Sequence, residues 1–148
     1  LREGIPPLDA RGGEGALFIG LTTSQEELSK RIDNRVEARV KQGIIQEIQQ
    51  LLNLGYSWEI PAMSGLGYKE WKPLFDKFSI FNFQFSINKE RLLIEEIINQ
   101  WKLHEKQYAK RQMTWFKKEK RIQWFDVSEP NYQQLVVDKV REWYNKND

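Results

Sequence analysis

Tyr108-Ala109-Lys110-Arg111-Gln112-Met113-Thr114-Trp115-Phe116 closes the longest helical stretch of the chain. The pattern predicts one helix from Lys89 to about Phe116, roughly 28 residues and ~42 Å at 1.5 Å per residue, with Asn88 as its cap. Tyr108, Gln112 and Trp115 fall at i, i+4 and i+7, hence on one face. Lys102, Lys106 and Lys110 form an i+4 ladder beside them, at the end of the helix where the dipole favours cations. Such a face can contact phosphates through Lys and Arg and stack on unpaired bases, which favours single-stranded or looped RNA over a duplex. The competing reading makes Tyr108, Trp115 and Phe116 core residues and the lysines a solvated face. The aromatics taken alone read as core; the basic residues taken together read as a polyanion contact.

The net charge of +2 conceals an asymmetry. From Lys102 to Arg121 there are eight Lys/Arg against Glu105 and Glu119, a net of +6, while the remaining 15 basic and 19 acidic residues give −4. A basic stripe on a mildly acidic body is the footprint of a polyanion site. With 148 residues, 40% of them hydrophobic, the chain can build one domain with a real core. It contains no cysteine and one histidine, which removes disulfides and thiolate metal sites and argues against a histidine-based zinc site. A reducing, cytoplasmic setting fits. No apolar run approaches the ~18 residues of a membrane span, and Leu1-Arg2-Glu3-Gly4-Ile5-Pro6-Pro7 lacks the apolar core of a signal peptide. The first residue is not methionine, so the chain is expected to be part of something longer.

Outward from the long helix, residues 1–15 read as a linker or loop, with Pro6-Pro7 and Gly12-Gly13-Glu14-Gly15. Ala16-Leu17-Phe18-Ile19-Gly20-Leu21 suits a short buried strand. Thr22, Thr23 and Ser24 offer helix caps, with Glu26 and Glu27 placed for a capping box. Leu28, Ile32, Val36 and Val40 give the next helix an apolar stripe, Gly43 interrupts, and Ile44, Ile45, Ile48, Leu51 and Leu52 form a second helix closed by Gly55. Residues 56–68 are irregular. A short helix is expected from Lys69 to about Phe75, limited by Pro73. Phe81, Phe83, Phe85 and Ile87 alternate with polar residues at a strand period. Arg121 to Val127 is a second strand candidate, and residues 131–145 a final helix with Leu135, Val136, Val140 and Trp143 facing inward. The fold class is therefore mainly α with two short strands.

Three smaller features have both a chemical and a plain structural reading. Gly65-Leu66-Gly67 could bring backbone N–H groups to an anion, favoured slightly by Lys69, or could be an ordinary turn. Arg31, Arg35 and Arg39 could clamp a diphosphate, or Arg31 could simply pair with Glu27 four residues earlier. His104 has no evident catalytic partner, so solvation or packing is its default. No Gly-x4-Gly-Lys-Ser/Thr phosphate loop and no Ser/His/Asp or Cys/His constellation occurs.

The order of motifs is more specific than any of them alone. Ile19-Gly20-Leu21-Thr22, Arg31-Ile32-Asp33-Asn34-Arg35-Val36, Gln42-Gly43, Gly65-Leu66-Gly67-Tyr68-Lys69-Glu70, Tyr108 to Phe116 and Ile122-Gln123-Trp124-Phe125-Asp126 follow one another. The series resembles the C-terminal half of the tRNA dimethylallyltransferases, over about residues 16–126. The resemblance implies part of a P-loop-type α/β fold whose N-terminal half is absent, with residues 16–148 as the C-terminal portion of the transferase core. It implies transfer of a dimethylallyl group from dimethylallyl diphosphate to N6 of the adenosine 3′ of the anticodon. The target base is flipped out of its stack, and stabilising the leaving diphosphate is the main electrostatic task.

By position, the resemblance assigns tRNA contacts to Ser64, Gly65, Leu66, Gly67, Tyr68 and Lys69, and to Lys110, Arg111, Gln112, Met113, Thr114, Trp115, Phe116 and Lys117. It assigns the diphosphate to Arg35, with Arg31 as second candidate. Mg²⁺, the P-loop and the aspartate base belong to the N-terminal half, so this chain alone is expected to bind no cofactor, to contain no catalytic residue and to be inactive. The expected partners are the tRNA anticodon arm, dimethylallyl diphosphate and that missing half, in a full-length monomer with no membrane contact. The alternative is a stand-alone helical RNA-binding module. Glu105 stands where relatives carry a hydroxyl and is expected to weaken the RNA face. The connection from Trp71 to Glu95 is longer and more aromatic than the family's, and Lys117 and Lys118 replace arginines, keeping charge but losing bidentate geometry.

Overall fold

The computed structural model describes residues 16–80 and 87–147. Its elements are β1 (Phe18–Thr22), α1 (Gln25–Lys41), α2 (Ile44–Asn53), a 3₁₀ turn (Lys69–Trp71) leading directly into α3 (Lys72–Ile80), α4 (Ile87–Phe116), β2 (Ile122–Asp126) and α5 (Tyr132–Asn147). The mainly helical class with two short strands holds. The chain divides into two compact units, one of Gln25–Met113 and one formed by the segments that flank it.

The helical unit has the larger core. α1 begins with Glu26 and Glu27 and ends with Arg39 and Lys41, each sign at the end of the helix dipole that favours it. Its apolar stripe buries Ile32 and Val36. After Gly43, α2 buries Ile44 and Ile48. Gly55, at φ 87°, closes α2: its N–H bonds the Leu52 carbonyl at 3.0 Å and the Tyr56 N–H bonds the Leu51 carbonyl at 3.1 Å. That is a Schellman ending, which needs the left-handed conformation that glycine adopts without penalty. Met63, Trp71, Leu74, Ile97 and Trp101 complete the core with Val36, Ile44 and Ile48. Trp71 and Trp101 meet edge to face, with ring centroids 6.4 Å apart.

Several local expectations differ from what is observed. Pro73 does not limit a helix ending near Phe75; it lies in the first turn of α3, which continues to Ile80. Proline fits there because first-turn N–H groups have no intrahelical partner. α4 starts at Ile87, so Asn88 is a helical residue and not the cap. Within the strand-period segment, Phe81 to Ser86 lie outside the described residues, and Ile87 is helical.

In the second unit β1 and β2 pair in parallel, with Gly20 opposite Trp124 and Thr22 opposite Asp126. The pairing extends by the Val127 N–H to the Thr22 carbonyl at 2.8 Å and a Thr23–Ser128 hydroxyl contact at 2.8 Å. All five β2 residues are half-buried, and α5 packs against this strand. Leu135 and Val140 do not turn inward as expected: they are 46% and 41% exposed, while Val136 and Trp143 are half-buried. Two strands form too narrow a platform to cover the whole apolar arc of a helix; parallel strands are normally covered on both faces.

Candidate nucleic-acid interface

The long helix carries two kinds of cation. Lys102 and Lys106 are committed to α1: Lys102 Nζ lies 2.7 Å from Glu37 Oε1, and Lys106 Nζ lies 2.7 and 2.9 Å from the two carboxylate oxygens of Asp33. The Lys102 hydrogen bond, reinforced by its charge, holds the Glu37 carboxyl below the ordinary value. Arg35 reaches back from α1 to Glu105 at 2.6 Å. These three cross-helix pairs join α1 to α4 along successive turns, so Lys102 and Lys106 of the lysine ladder are structural. Arg111, by contrast, lies over the Tyr108 ring at 5.8 Å from its centroid, with Tyr108 exposed.

In the second unit, Trp115 is 76% exposed, and Phe116, Lys117 and Lys118 are exposed too. Neither Lys117 nor Lys118 makes an ion pair with a described residue. Arg121 is different. It clamps Glu119 through Nε at 2.8 Å and Nη2 at 2.7 Å. These bonds and the Arg121 backbone N–H hold the Glu119 carboxyl at about 2. Arg121 also covers the Phe18 ring at 4.9 Å. Tyr108, Trp115 and Phe116 are therefore not core residues. Along α4 the buried apolar positions among the described residues are Ile97 and Trp101. The remaining aromatics point to water, where large rings are available for stacking.

Glu105, expected to weaken the RNA face, is engaged within the helical unit. Its side chain is 11% exposed, accepting from Arg35 and, at 3.1 Å, from Trp101 Nε1. Of the arginine ladder, Arg31 pairs with Glu27 at 2.8 Å and Arg39 with Glu47 at 3.3 Å. The three arginines thus each hold a carboxylate of this chain; Arg31 and Arg35 would have to exchange theirs to take a diphosphate.

The turn from Ser64 to Lys69 is anchored from below and open above. Met63 and Gly67 are buried, whereas Ser64 and Lys69 are exposed. The Ser64 hydroxyl donates to the Pro61 carbonyl at 2.9 Å. The Tyr68 and Lys69 N–H groups both bond the Gly65 carbonyl, and the Gly67 N–H bonds the Glu70 carboxylate. These three donors are occupied from within, which removes them from any anion cradle. The Tyr68 phenol donates to Glu47; that bond, with burial, pushes the phenol above its ordinary value. Gly67 has φ 97°, and a Cβ there would stand 2.9 Å from the Trp101 ring. Sequence reasoning gives Glu70 no role and leaves His104 without a partner; the two are 3.0 Å apart. The spacing of Glu70 three residues after a glycine is the one local signal that points to it.

Among the described residues no group of three or more His, Asp and Glu side chains comes together. Among the same residues no helix is long and apolar enough to cross a membrane.

The family model described as IPP transferase matches residues 8–119. A tRNA dimethylallyltransferase of Thermomicrobium roseum is 34% identical over 124 residues, 84% of this chain and 34% of that protein. That of Alkaliphilus oremlandii is 39% identical over 111 residues, covering 75% and 31%. Among solved structures, the tRNA delta(2)-isopentenylpyrophosphate transferase of Staphylococcus epidermidis superposes with a TM-score of 0.69 at 30% identity, over 89% of this chain and 38% of that one. The full-length tRNA isopentenylpyrophosphate transferase of Bacillus halodurans gives 0.67 at 28% identity, over 88% and 41%. The chain thus spans about a third of the length of the curated relatives it matches, and over that third it belongs to the IPP transferase family.

Proposed function

We propose that this chain is the RNA-contacting part of a tRNA dimethylallyltransferase, which transfers a dimethylallyl group to N6 of the adenosine 3′ of the anticodon. The observation that carries this reading is the exposure of Tyr108, Trp115 and Phe116, together with three cations, Arg111, Lys117 and Lys118, that hold no carboxylate among the described residues. Stacking rings and unneutralised cations are what a splayed, single-stranded loop requires. Ser64 to Lys69 and Lys110 to Lys117 are the proposed tRNA-binding residues. Dimethylallyl diphosphate is the proposed donor, with Arg35 and Arg31 on its side. The P-loop, Mg²⁺ and the general base are supplied by the family's N-terminal half, in a cytoplasmic enzyme.

The direct test is binding of an anticodon stem-loop by the whole chain. Arg111→Ala with Lys117→Ala and Lys118→Ala should weaken binding and flatten its dependence on salt, by about 0.7–0.9 in the log–log slope for each phosphate no longer neutralised. An unchanged affinity with an unchanged slope would make these cations solvated side chains and nothing more.

A further inference from the structure

Glu70 is the one charged residue buried among the described residues, with a side chain only 2% exposed. A carboxylate is kept out of water only where hydrogen bonds and charge compensate it. Its two oxygens divide the work. Oε2 accepts the Gly67 N–H at 2.8 Å, and Oε1 lies 3.0 Å from His104 Nδ1. With Glu70 ionised, both oxygens can only accept, so Nδ1 carries the donor hydrogen. Gly67 belongs to the turn, Glu70 to the 3₁₀ turn after it, and His104 to α4.

The peptide geometry gives this contact a consequence at the surface. The chain has no cis peptide among its described residues, and in a trans peptide the N–H and the preceding C=O point in opposite directions. Drawing the Gly67 N–H down to Glu70 therefore directs the Leu66 carbonyl away from the buried carboxylate. The left-handed Gly67, held against the Trp101 ring, fixes the same peptide from its other side. An apolar residue at position 70 would fill the space without fixing that orientation.

We propose that Glu70, backed by His104, is a positioning residue that sets the Ser64–Lys69 turn for RNA contact, presenting the Leu66 carbonyl as an acceptor for a base or ribose donor. This rests on the tRNA-contact reading of the turn. The Gly67 bond to a buried carboxylate is of the stronger, charge-assisted kind.

The test separates the clamp from its purpose. In the whole chain, Glu70→Leu should speed hydrogen exchange of the Gly67 amide by about tenfold or more and shift the His104 ring nitrogens in NMR spectra, while α2 amides keep their protection. Glu70→Gln keeps an oxygen for the Gly67 N–H and should restore most of that protection. Anticodon stem-loop affinity should follow the same order, falling about tenfold in Glu70→Leu and recovering in Glu70→Gln. Unchanged Gly67 exchange in Glu70→Leu overturns the clamp. A released Gly67 with unchanged RNA affinity overturns the positioning role. If the unsubstituted chain fails to bind RNA, the tRNA-contact reading falls and the positioning role with it, while Gly67 exchange still decides the clamp. Should Glu70→Leu fail to fold, His104→Ala, at a half-exposed side chain, decides instead. It should loosen Gly67 and weaken RNA binding, and no change in either overturns the proposal.

Discussion

Between Gln25 and Met113, Val36, Ile48 and Trp71 are sealed from solvent; in the flanking β1–β2–α5 unit, Gly20 is the only described residue that is buried. Both units have apolar residues at the correct period, so periodicity does not account for the difference. The helical unit surrounds its apolar stripes with four helices and a well-anchored loop. Among its described residues the other unit has two strands and one helix, and a sheet that narrow leaves Leu135, Val137, Val140 and Tyr144 exposed. Burial is a property of how many layers meet, and one α-helix on a two-stranded sheet supplies few.

The strongest way to break this contrast is Trp71→Ala. It should remove about 3–5 kcal/mol from the helical unit, the range for emptying a buried aromatic site. Amide exchange would read the loss in α2, with β1 and β2 unaffected. Equal loss in both units would mean that they fold as one.

Gly20→Val acts on the other side. A Cβ at Gly20 would stand 2.5 Å from the Trp124 ring and 2.6 Å from Ile122. The expected cost is about 1–3 kcal/mol of overpacking, confined to protection of the strand amides.

The smallest effect is a titration within the helical unit. The Glu47 hydrogen bond raises the Tyr68 phenol above its usual 10. A group raised in the folded state lends stability that is present below pH 10 and is lost as pH rises through the folded value. Ultraviolet titration should show Tyr68 ionising late, a component that Tyr68→Phe should remove. A normal titration in the parent chain would mean that the Tyr68–Glu47 bond is not formed in solution.

Much of the fold is legible in the sequence because its signals are local. The stripe of Ile32 and Val36, the glycine that closes α2 and the apolar run at Phe18 to Leu21 all declare themselves within a few residues. The extent of α3 is not legible, because Pro73 can either open or break a helix, and only its position in the first turn decides which. The site is less legible still. The turn and the Tyr108 to Phe116 stretch stand out by their residues, but composition cannot tell which side of a helix has a partner, so the aromatics read as core. Glu70 and His104 lie 34 residues apart in the chain, beyond any local pattern.

The sequence by itself determined the order of most helices and both strands, the concentration of positive charge from Lys102 to Arg121 and the motif order that marks the family. Only the tertiary structure decided which of those charges can still meet a ligand. Lys102 and Lys106 find Glu37 and Asp33, 65 and 73 residues away, while Arg111, Lys117 and Lys118 hold no carboxylate among the described residues. The reason is that spacing along a helix fixes the direction of a side chain, whereas ion pairing falls off with distance through space.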